Sequence, residues 1–130
     1  MTSQIIQPID STEPLTRYIF SKKHFRGEKV LHAAFFPNKG EVSVFRIKEW
    51  TVPEIWDNGL EIGKHREPSL KGRGDFIWGV LENISVKIYP DSHPSRHANI
   101  RDFPDKREEI QEQATILAKA SSFKKFSSDY

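Results

Sequence analysis

Positively charged side chains are concentrated in two segments, although the formal net charge of the 130-residue chain is only +2. Segment 17–29 holds five Lys or Arg against one Glu, and segment 64–73 holds four against one. Such clusters bind phosphate groups, so the two segments would form one phosphate-binding surface if the fold brought them together. The candidate phosphate-binding or nucleic-acid-binding residues are Lys22, Lys23, Arg26, Lys64, Arg66, Lys71, Arg73, Arg96 and Arg101.

Aromatic residues accompany the first basic segment. Tyr18, Phe20 and Phe25 could stack on unpaired bases, which is how many proteins hold single strands without reading their sequence. The spacings of a helix-turn-helix, an RNP signature or a zinc finger are absent, so sequence-specific DNA recognition is not expected. RNA or single-stranded nucleic acid is therefore the predicted partner. The alternative is that both basic segments are ordinary solvated loops.

A second polar group, made of Arg96, His97, Asn99 and Arg101, precedes the last predicted helix. The free N–H groups at a helix start attract anions, so a phosphate could be held there. His97 could then act as a general acid or base, because histidine titrates close to neutral pH. This predicts, as an alternative function, a metal-independent enzyme acting on a phosphodiester or nucleotide. The competing interpretation is a hydrogen-bonded loop in which Asp102 only caps the helix.

Arg46 interrupts an otherwise apolar predicted strand and is the second catalytic candidate after His97. An arginine on a half-buried face needs a partner, so Arg46 either pairs with a core carboxylate or points into a pocket as an anion clamp. His32 lies on the strand predicted to face it. Whether His32 and Arg46 share one face depends on the register set by the loop at 37–40.

Metal and cofactor chemistry finds little support in the sequence. Asp91, His93 and His97 resemble a zinc-ligand spacing, but Pro94 lies between the two histidines and breaks the helical geometry that such a pair requires. The absence of cysteine excludes disulfides, thiolate metal sites and thiol nucleophiles. Walker, HExxH and catalytic-triad motifs are also absent. We therefore expect no metal and no cofactor.

Length and composition predict one small domain that is soluble and cytoplasmic, as a monomer or homodimer. Hydrophobic residues make up 36% of the chain, and nine Phe, three Trp and three Tyr supply enough large side chains for a core. The three Trp are expected mainly in that core. Neither a membrane-spanning run nor a signal-peptide pattern is visible. The predicted divisions are a flexible arm at 1–14, a domain at 15–126 and a tail at 127–130.

Two helices are predicted, at 53–62 and 104–120. Thr51 and Glu54 form a capping-box pattern before the first helix. Ile110, Ala114, Leu117 and Ala118 recur on one side of the second helix, which leaves Gln113 exposed.

Alternating and apolar runs predict strands at 29–36, 42–48, 75–80 and 84–89, while 15–20 fits a strand or a helical turn. A rival interpretation makes 77–82 a helical turn. Segments 64–74 and 90–101 are expected as loops, and Phe123 and Phe126 either fold back onto the core or fray. These elements predict an α+β fold with an antiparallel sheet of three to five strands.

Four strings, RYIF, SVFRI, IWDNG and HANIRDFPDK, together resemble a family of small bacterial proteins of uncharacterised function. The resemblance covers residues 15–121 and implies no activity. From the residues themselves, the preferred function is a small cytosolic protein that binds a phosphate-bearing partner. Besides the enzyme, a non-catalytic subunit that binds another protein through its Trp and Phe side chains is a further alternative.

Overall fold

The computed structural model describes residues 7–92 and 94–127. These residues form eight strands and two α-helices, joined in part by short three-ten helices at Lys22–His24, His32–Phe35 and Trp78–Val80. In chain order the elements are β1 (Pro14–Ile19), β2 (Phe25–Arg26), β3 (Lys29–Val30), β4 (Val42–Arg46), α1 (Val52–Gly63), β5 (Gly72–Ile77), β6 (Lys87–Pro90), β7 (His97–Arg101), α2 (Arg107–Ala120) and β8 (Ser122–Lys125).

Six strands form one sheet in the order β6-β7-β4-β1-β5-β8, and every neighbouring pair is antiparallel. Strands β2 and β3 form a separate two-stranded hairpin. The predicted α+β class is therefore confirmed. The predicted count of three to five strands is wrong, because two polar segments that carry little strand pattern, β7 and β8, also join the sheet.

The sheet is covered on both faces, and the two-residue period of its strands decides which side chains go where. Leu15 and Ile19 of β1 point to the face covered by α2, where they pack with Leu117 in the main core. Tyr18, between them in register, points to the opposite face and packs with Trp56 of α1 in a second cluster. Strand β1 therefore stands between two cores.

Helix α1 begins and packs as its sequence predicts. The Thr51 side chain accepts from the Glu54 N–H while Glu54 accepts from the Thr51 N–H, which is a complete capping box. Gly59 lies against β1, since a Cβ there would be 2.7 Å from the Tyr18 ring. This close approach lets the Tyr18 hydroxyl donate to the Ile55 carbonyl at 2.6 Å, and burial raises the pKa of Tyr18 to about 12.

Helix α2 begins at Arg107 rather than at residue 104, and its N-cap is Lys106. Asp102 does not cap it: this residue has a left-handed backbone with φ of 67°, and its carboxylate accepts from the Tyr89 hydroxyl. Leu117 is fully buried, as predicted. The prediction that Gln113 is exposed is wrong, because its Oε1 accepts from the buried N–H of Val86 and from that of Ser85.

Three predicted strand or loop assignments change in the structure, and two open alternatives are decided. Segment 29–36 contains only the short β3 and then the three-ten helix His32–Phe35, so it does not form a hairpin with β4. Segment 15–20 is a strand, and the rival helical turn near residue 78 is confirmed. The loops expected at 64–74 and 90–101 both end in strands, β5 and β7.

Both ends of the described chain contact the domain. Within the predicted arm, Ile9 packs on the main core and Glu13 is only 4% exposed. Phe123 stacks on Phe25 with ring centroids 4.6 Å apart, and Phe126 lies 5.2 Å from Trp56. The alternative in which these two phenylalanines fold back onto the core is therefore confirmed.

Candidate functional site

The two basic segments meet where β1 ends. The Arg66 guanidinium lies over the Phe20 ring, 4.6 Å from its centroid. Gly63 permits this arrangement, because a Cβ at that position would be 2.5 Å from the edge of the Phe20 ring. We call the resulting surface the Phe20 patch, and its residues are Arg17, Phe20, Lys22, Lys23, His24 and Arg66.

Local hydrogen bonds hold both segments at this end of the sheet. After β1, the Ser21 hydroxyl accepts from the Lys23 N–H at 3.1 Å and starts the three-ten helix Lys22–His24. After α1, the Arg66 N–H donates to the Gly63 carbonyl at 2.9 Å, which turns the chain back toward β1. The two segments are thus positioned by the ends of β1 and α1.

Arg17 adds a cation at the same end of β1, on the sheet face that carries Leu15 and Ile19. Its Nε donates to the Ala34 carbonyl at 2.8 Å and its Nη1 to the Ser43 carbonyl at 2.9 Å. Burial, and secondly the charge of Arg66, lower the pKa of Arg17 to about 10, so it remains a cation at neutral pH. Because both hydrogen-bond partners are neutral carbonyls, the positive charge of Arg17 stays available to an anion.

The other polar residues at this end of the sheet are exposed or close to Arg17. Burial and the neighbouring Arg17 charge lower the pKa of His24, which favours the neutral imidazole. Lys22 and Lys23 are exposed, and so is Lys64, which pairs with Glu61 at 2.9 Å. A phosphate bound here would meet several donors and would relieve the mutual repulsion of the cations.

Several predicted binding residues lie outside the patch. Arg73 is only 3% exposed: its Nε bonds to Asp75 at 3.0 Å and its guanidinium covers the Trp56 ring. Arg73 therefore belongs to the interior and not to the expected surface. Lys71 is half-buried beside β1, and Arg26 is exposed on the β2–β3 hairpin.

The three aromatic residues predicted to stack on bases, Tyr18, Phe20 and Phe25, lie in different surroundings. Tyr18 is buried with its hydroxyl bonded, so the expectation that it stacks on a base is wrong. The Phe25 ring already stacks on the Phe123 ring. Phe20 is the ring of the three that the Arg66 guanidinium of the second segment covers. Of the tryptophans, Trp56 is buried while Trp50 and Trp78 are half-buried.

His97 lies in β7 and not in a loop before a helix. Its Nδ1 is 3.2 Å from Asp91 Oδ2, its ring packs edge-on against Phe45, and the residue is 8% exposed. The anion site expected at the helix start is not formed, because 97–101 is a strand and α2 begins at Arg107. The Asp91–His97 pair has the composition of a general base, but it offers a substrate very little surface.

Arg96 and Arg101, the basic neighbours of His97, are engaged elsewhere. The Arg96 guanidinium lies 5.9 Å from the Trp50 ring centroid. Arg101 pairs with Glu41 at 2.9 Å and stacks near Tyr89. Neither contact aims a guanidinium at His97.

Arg46 is a structural residue in this fold. Its Nε and Nη2 donate to the two carboxylate oxygens of Glu13, at 2.5 and 2.9 Å, and its Nη1 donates to the Gln7 carbonyl at 2.6 Å. The core-carboxylate alternative is thus confirmed and the anion clamp is not. His32 is exposed on the three-ten helix His32–Phe35 and does not lie on a strand beside β4, so the considered His32–Arg46 register does not arise.

Within residues 7–92 and 94–127, no three His, Asp or Glu side chains converge in a way that could hold a metal ion. His93, a member of the considered zinc pattern, is outside the described residues. No helix in this part of the chain combines the length and apolar character needed to cross a bilayer.

Sequence reasoning overlooked Arg17 as a site residue, although a signal for it exists. Arg17 stands between Leu15 and Ile19 at strand spacing, so it emerges on an apolar face where a cation needs partners. It finds them in two backbone carbonyls where β1 and β4 stop pairing beyond Thr16. A charged residue that alternates with buried apolar residues along a strand therefore indicates a cation held on an apolar face.

Comparison with family models, curated proteins and solved structures finds no match to this chain. The resemblance to a family of small bacterial proteins stays a prediction.

Proposed function

We propose that this protein binds RNA or single-stranded nucleic acid through the phosphates of its backbone, using the Phe20 patch. The observation that carries the proposal is the contact of the Arg66 guanidinium with the Phe20 ring, which joins two basic segments that are distant in sequence. Charge concentrated in one place attracts a polyanion far more strongly than the same charge spread over a surface.

The roles within the patch follow from exposure. Lys22, Lys23 and Arg66 are exposed and contact phosphates directly, each releasing bound counterions. Arg17 is held by carbonyls and adds a fixed positive charge at the same end of β1. An unpaired base stacks on the exposed side of the Arg66 guanidinium, whose other side rests on Phe20. Nothing in this arrangement reads base edges, so binding is independent of sequence.

Salt dependence tests this function. Binding of a fluorescent single-stranded RNA and of the matching DNA is measured by anisotropy at about 50 and about 200 mM salt. The wild-type affinity should fall steeply with salt. In the combined variant Lys22→Gln, Lys23→Gln, Arg66→Gln, three phosphate contacts are lost, and the slope of log affinity against log salt should decrease by about 2.

The matched control removes the same charge from exposed positions outside the patch, with Lys39→Gln, Lys48→Gln and Lys106→Gln. This control should keep most of the wild-type slope. If the two triple variants lost equal amounts of affinity and of salt slope, the effect would come from net charge alone and would contradict a localised binding patch. An absence of binding at the lower salt concentration would reject the proposed function altogether.

A further inference from the structure

A cleft separates the β2–β3 hairpin from the C-terminal half of α2. Its volume is about 410 Å³, which lies in the range of small-molecule sites. Residues 28–32 form one wall, and Thr115, Ala118, Lys119 and Ser121 form the other. A second cavity of about 580 Å³ adjoins it, since Glu28 and Ser121 line both. We call the first cavity the hairpin cleft.

Charge in the hairpin cleft is predominantly positive. Lys29, His32 and Lys119 line it together with one carboxylate, Glu28. All four side chains are exposed, and none forms an ion pair with another residue in the described part of the chain. Lys125 adds a further cation in the adjoining cavity. An anionic group entering the cleft would therefore meet donors that no internal carboxylate occupies.

The rest of the lining suits a ligand with a flat or apolar body. The apolar lining is Leu31, which is half-buried, together with the nearly covered Val30 and Ala118. The Thr115 hydroxyl makes no hydrogen bond within the described residues, so it can donate to or accept from a ligand. Ser121 already donates to the Leu117 carbonyl at 2.8 Å, which leaves its oxygen as an acceptor.

The fold holds the two walls at a fixed separation. Phe25 of the hairpin stacks on Phe123 of β8, and Val30 packs in the main core. Gly74 of β5 permits this seating, because a Cβ there would lie 3.1 Å from Val30 and 3.3 Å from Ser121. The cleft is consequently preformed, which lowers the conformational cost of binding.

We propose that the hairpin cleft binds a nucleoside monophosphate, with its phosphate between Lys29, His32 and Lys119 and its base against Leu31. Inorganic phosphate is too small to use the apolar surface, and a nucleoside without phosphate leaves the cations unpaired. The cleft residues are different from those of the Phe20 patch. This binding is therefore independent of the proposed binding of a single strand.

Calorimetry tests the cleft with the four ribonucleoside monophosphates, adenosine and inorganic phosphate as separate probes. At least one monophosphate should bind, about tenfold or more tighter than adenosine or phosphate, because a charge-assisted contact contributes at least that factor. Lys119→Gln should weaken this binding by a similar factor. Thr115→Phe should also weaken it by filling the cleft. Lys106→Gln, at the other end of α2, is the matched control and should leave it unchanged.

The triple variant of the Phe20 patch separates this inference from the proposed function. It should bind the monophosphate as wild type does, whatever its affinity for single strands. Failure of every monophosphate to bind at millimolar concentration overturns the cleft proposal. Loss of monophosphate binding in the patch variant, with Lys119→Gln and Thr115→Phe unaffected, also overturns it and moves the nucleotide to the patch.

Discussion

Charged residues in this protein divide into those that the fold neutralises and those that it leaves available. The Arg46 guanidinium donates to the Glu13 carboxylate and to the Gln7 carbonyl, and the Arg73 Nε donates to the Asp75 carboxylate. Arg17 instead bonds neutral carbonyls and keeps an uncompensated charge. At the scale of single residues, this difference in partners separates a structural arginine from one that can attract a ligand.

The Glu13–Arg46 pair makes stability depend on pH. Burial alone would raise the pKa of Glu13, but hydrogen bonds from Arg46 and from the Asp10 N–H, with the charge of Arg46, lower it below its ordinary value. A carboxyl whose pKa is lower in the folded state stabilises the fold above its unfolded pKa. That contribution disappears as pH falls through the folded pKa.

We therefore predict that Glu13→Gln lowers the free energy of unfolding by about 1–3 kcal/mol at neutral pH. The deficit should shrink as pH falls through the folded pKa of Glu13, because wild type then loses the carboxylate as well. Urea denaturation at neutral pH and at successively lower pH values measures the deficit. A deficit that stays constant across these pH values would show that the charge of Glu13 does not matter for stability.

The partners of single charged residues were the feature that the sequence predicted least well. The type of Arg46 indicates that it needs a partner, but Glu13 becomes that partner only through the pairing of β1 with β4. Asp75, the partner of Arg73, lies two residues away on the same strand, β5. Arg73 has the same composition around it as a solvated loop, with a glycine on each side. Those glycines serve the packing of β5: a Cβ at Gly72 would lie 2.6 Å from the Lys124 carbonyl oxygen.

At the scale of elements, the helices were predictable and the short polar strands were not. The capping box and the stripe of Ala114 and Leu117 are local patterns, and both helices form where those patterns lie. Strand β7 has the sequence HANIR, in which His97 and Asn99 are buried polar residues without strand propensity. It is a strand because β4 and β6 pair with it on both sides.

Gln113 shows how a helix position can be mistaken from one-dimensional spacing. It lies beside Ala114 on the buried stripe and ties α2 to the segment before β6 through Ser85 and Val86. Because glutamine is polar, the sequence predicted that this side chain faces solvent. The interior site instead requires that polar group, because two backbone donors end there.

Replacing Gln113 with leucine should lower the free energy of unfolding by about 1–3 kcal/mol, since a buried N–H would lose its partner. Gln111→Leu, at an exposed position of the same helix, is the matched control and should change stability by no more than about 0.5 kcal/mol. Leu117→Ala should exceed both, at about 2–5 kcal/mol. If Gln111→Leu proved the more destabilising of the two glutamine variants, the described phase of α2 would be wrong.

At the scale of the whole molecule, the sheet joins parts of the chain that are far apart in sequence. The ends of β1 and α1 create the Phe20 patch, while the β2–β3 hairpin and α2 create the hairpin cleft. The basic segments were visible in the sequence, but a shared binding surface was predicted only if the fold brought the two segments together. The sequence offered no sign of the hairpin cleft, because Thr115 and Lys119 acquire a partner wall only in three dimensions.

A single strand that binds this protein should contact the Phe20 patch, and NMR titration with a short single-stranded RNA locates that contact. Amide shifts should be largest at residues 19–24 and 63–66. The pKa of the His24 imidazole should rise on binding, because a phosphate offsets the burial and the Arg17 charge that lower it. Shifts centred on 97–101, with an unchanged His24 titration, would contradict the account.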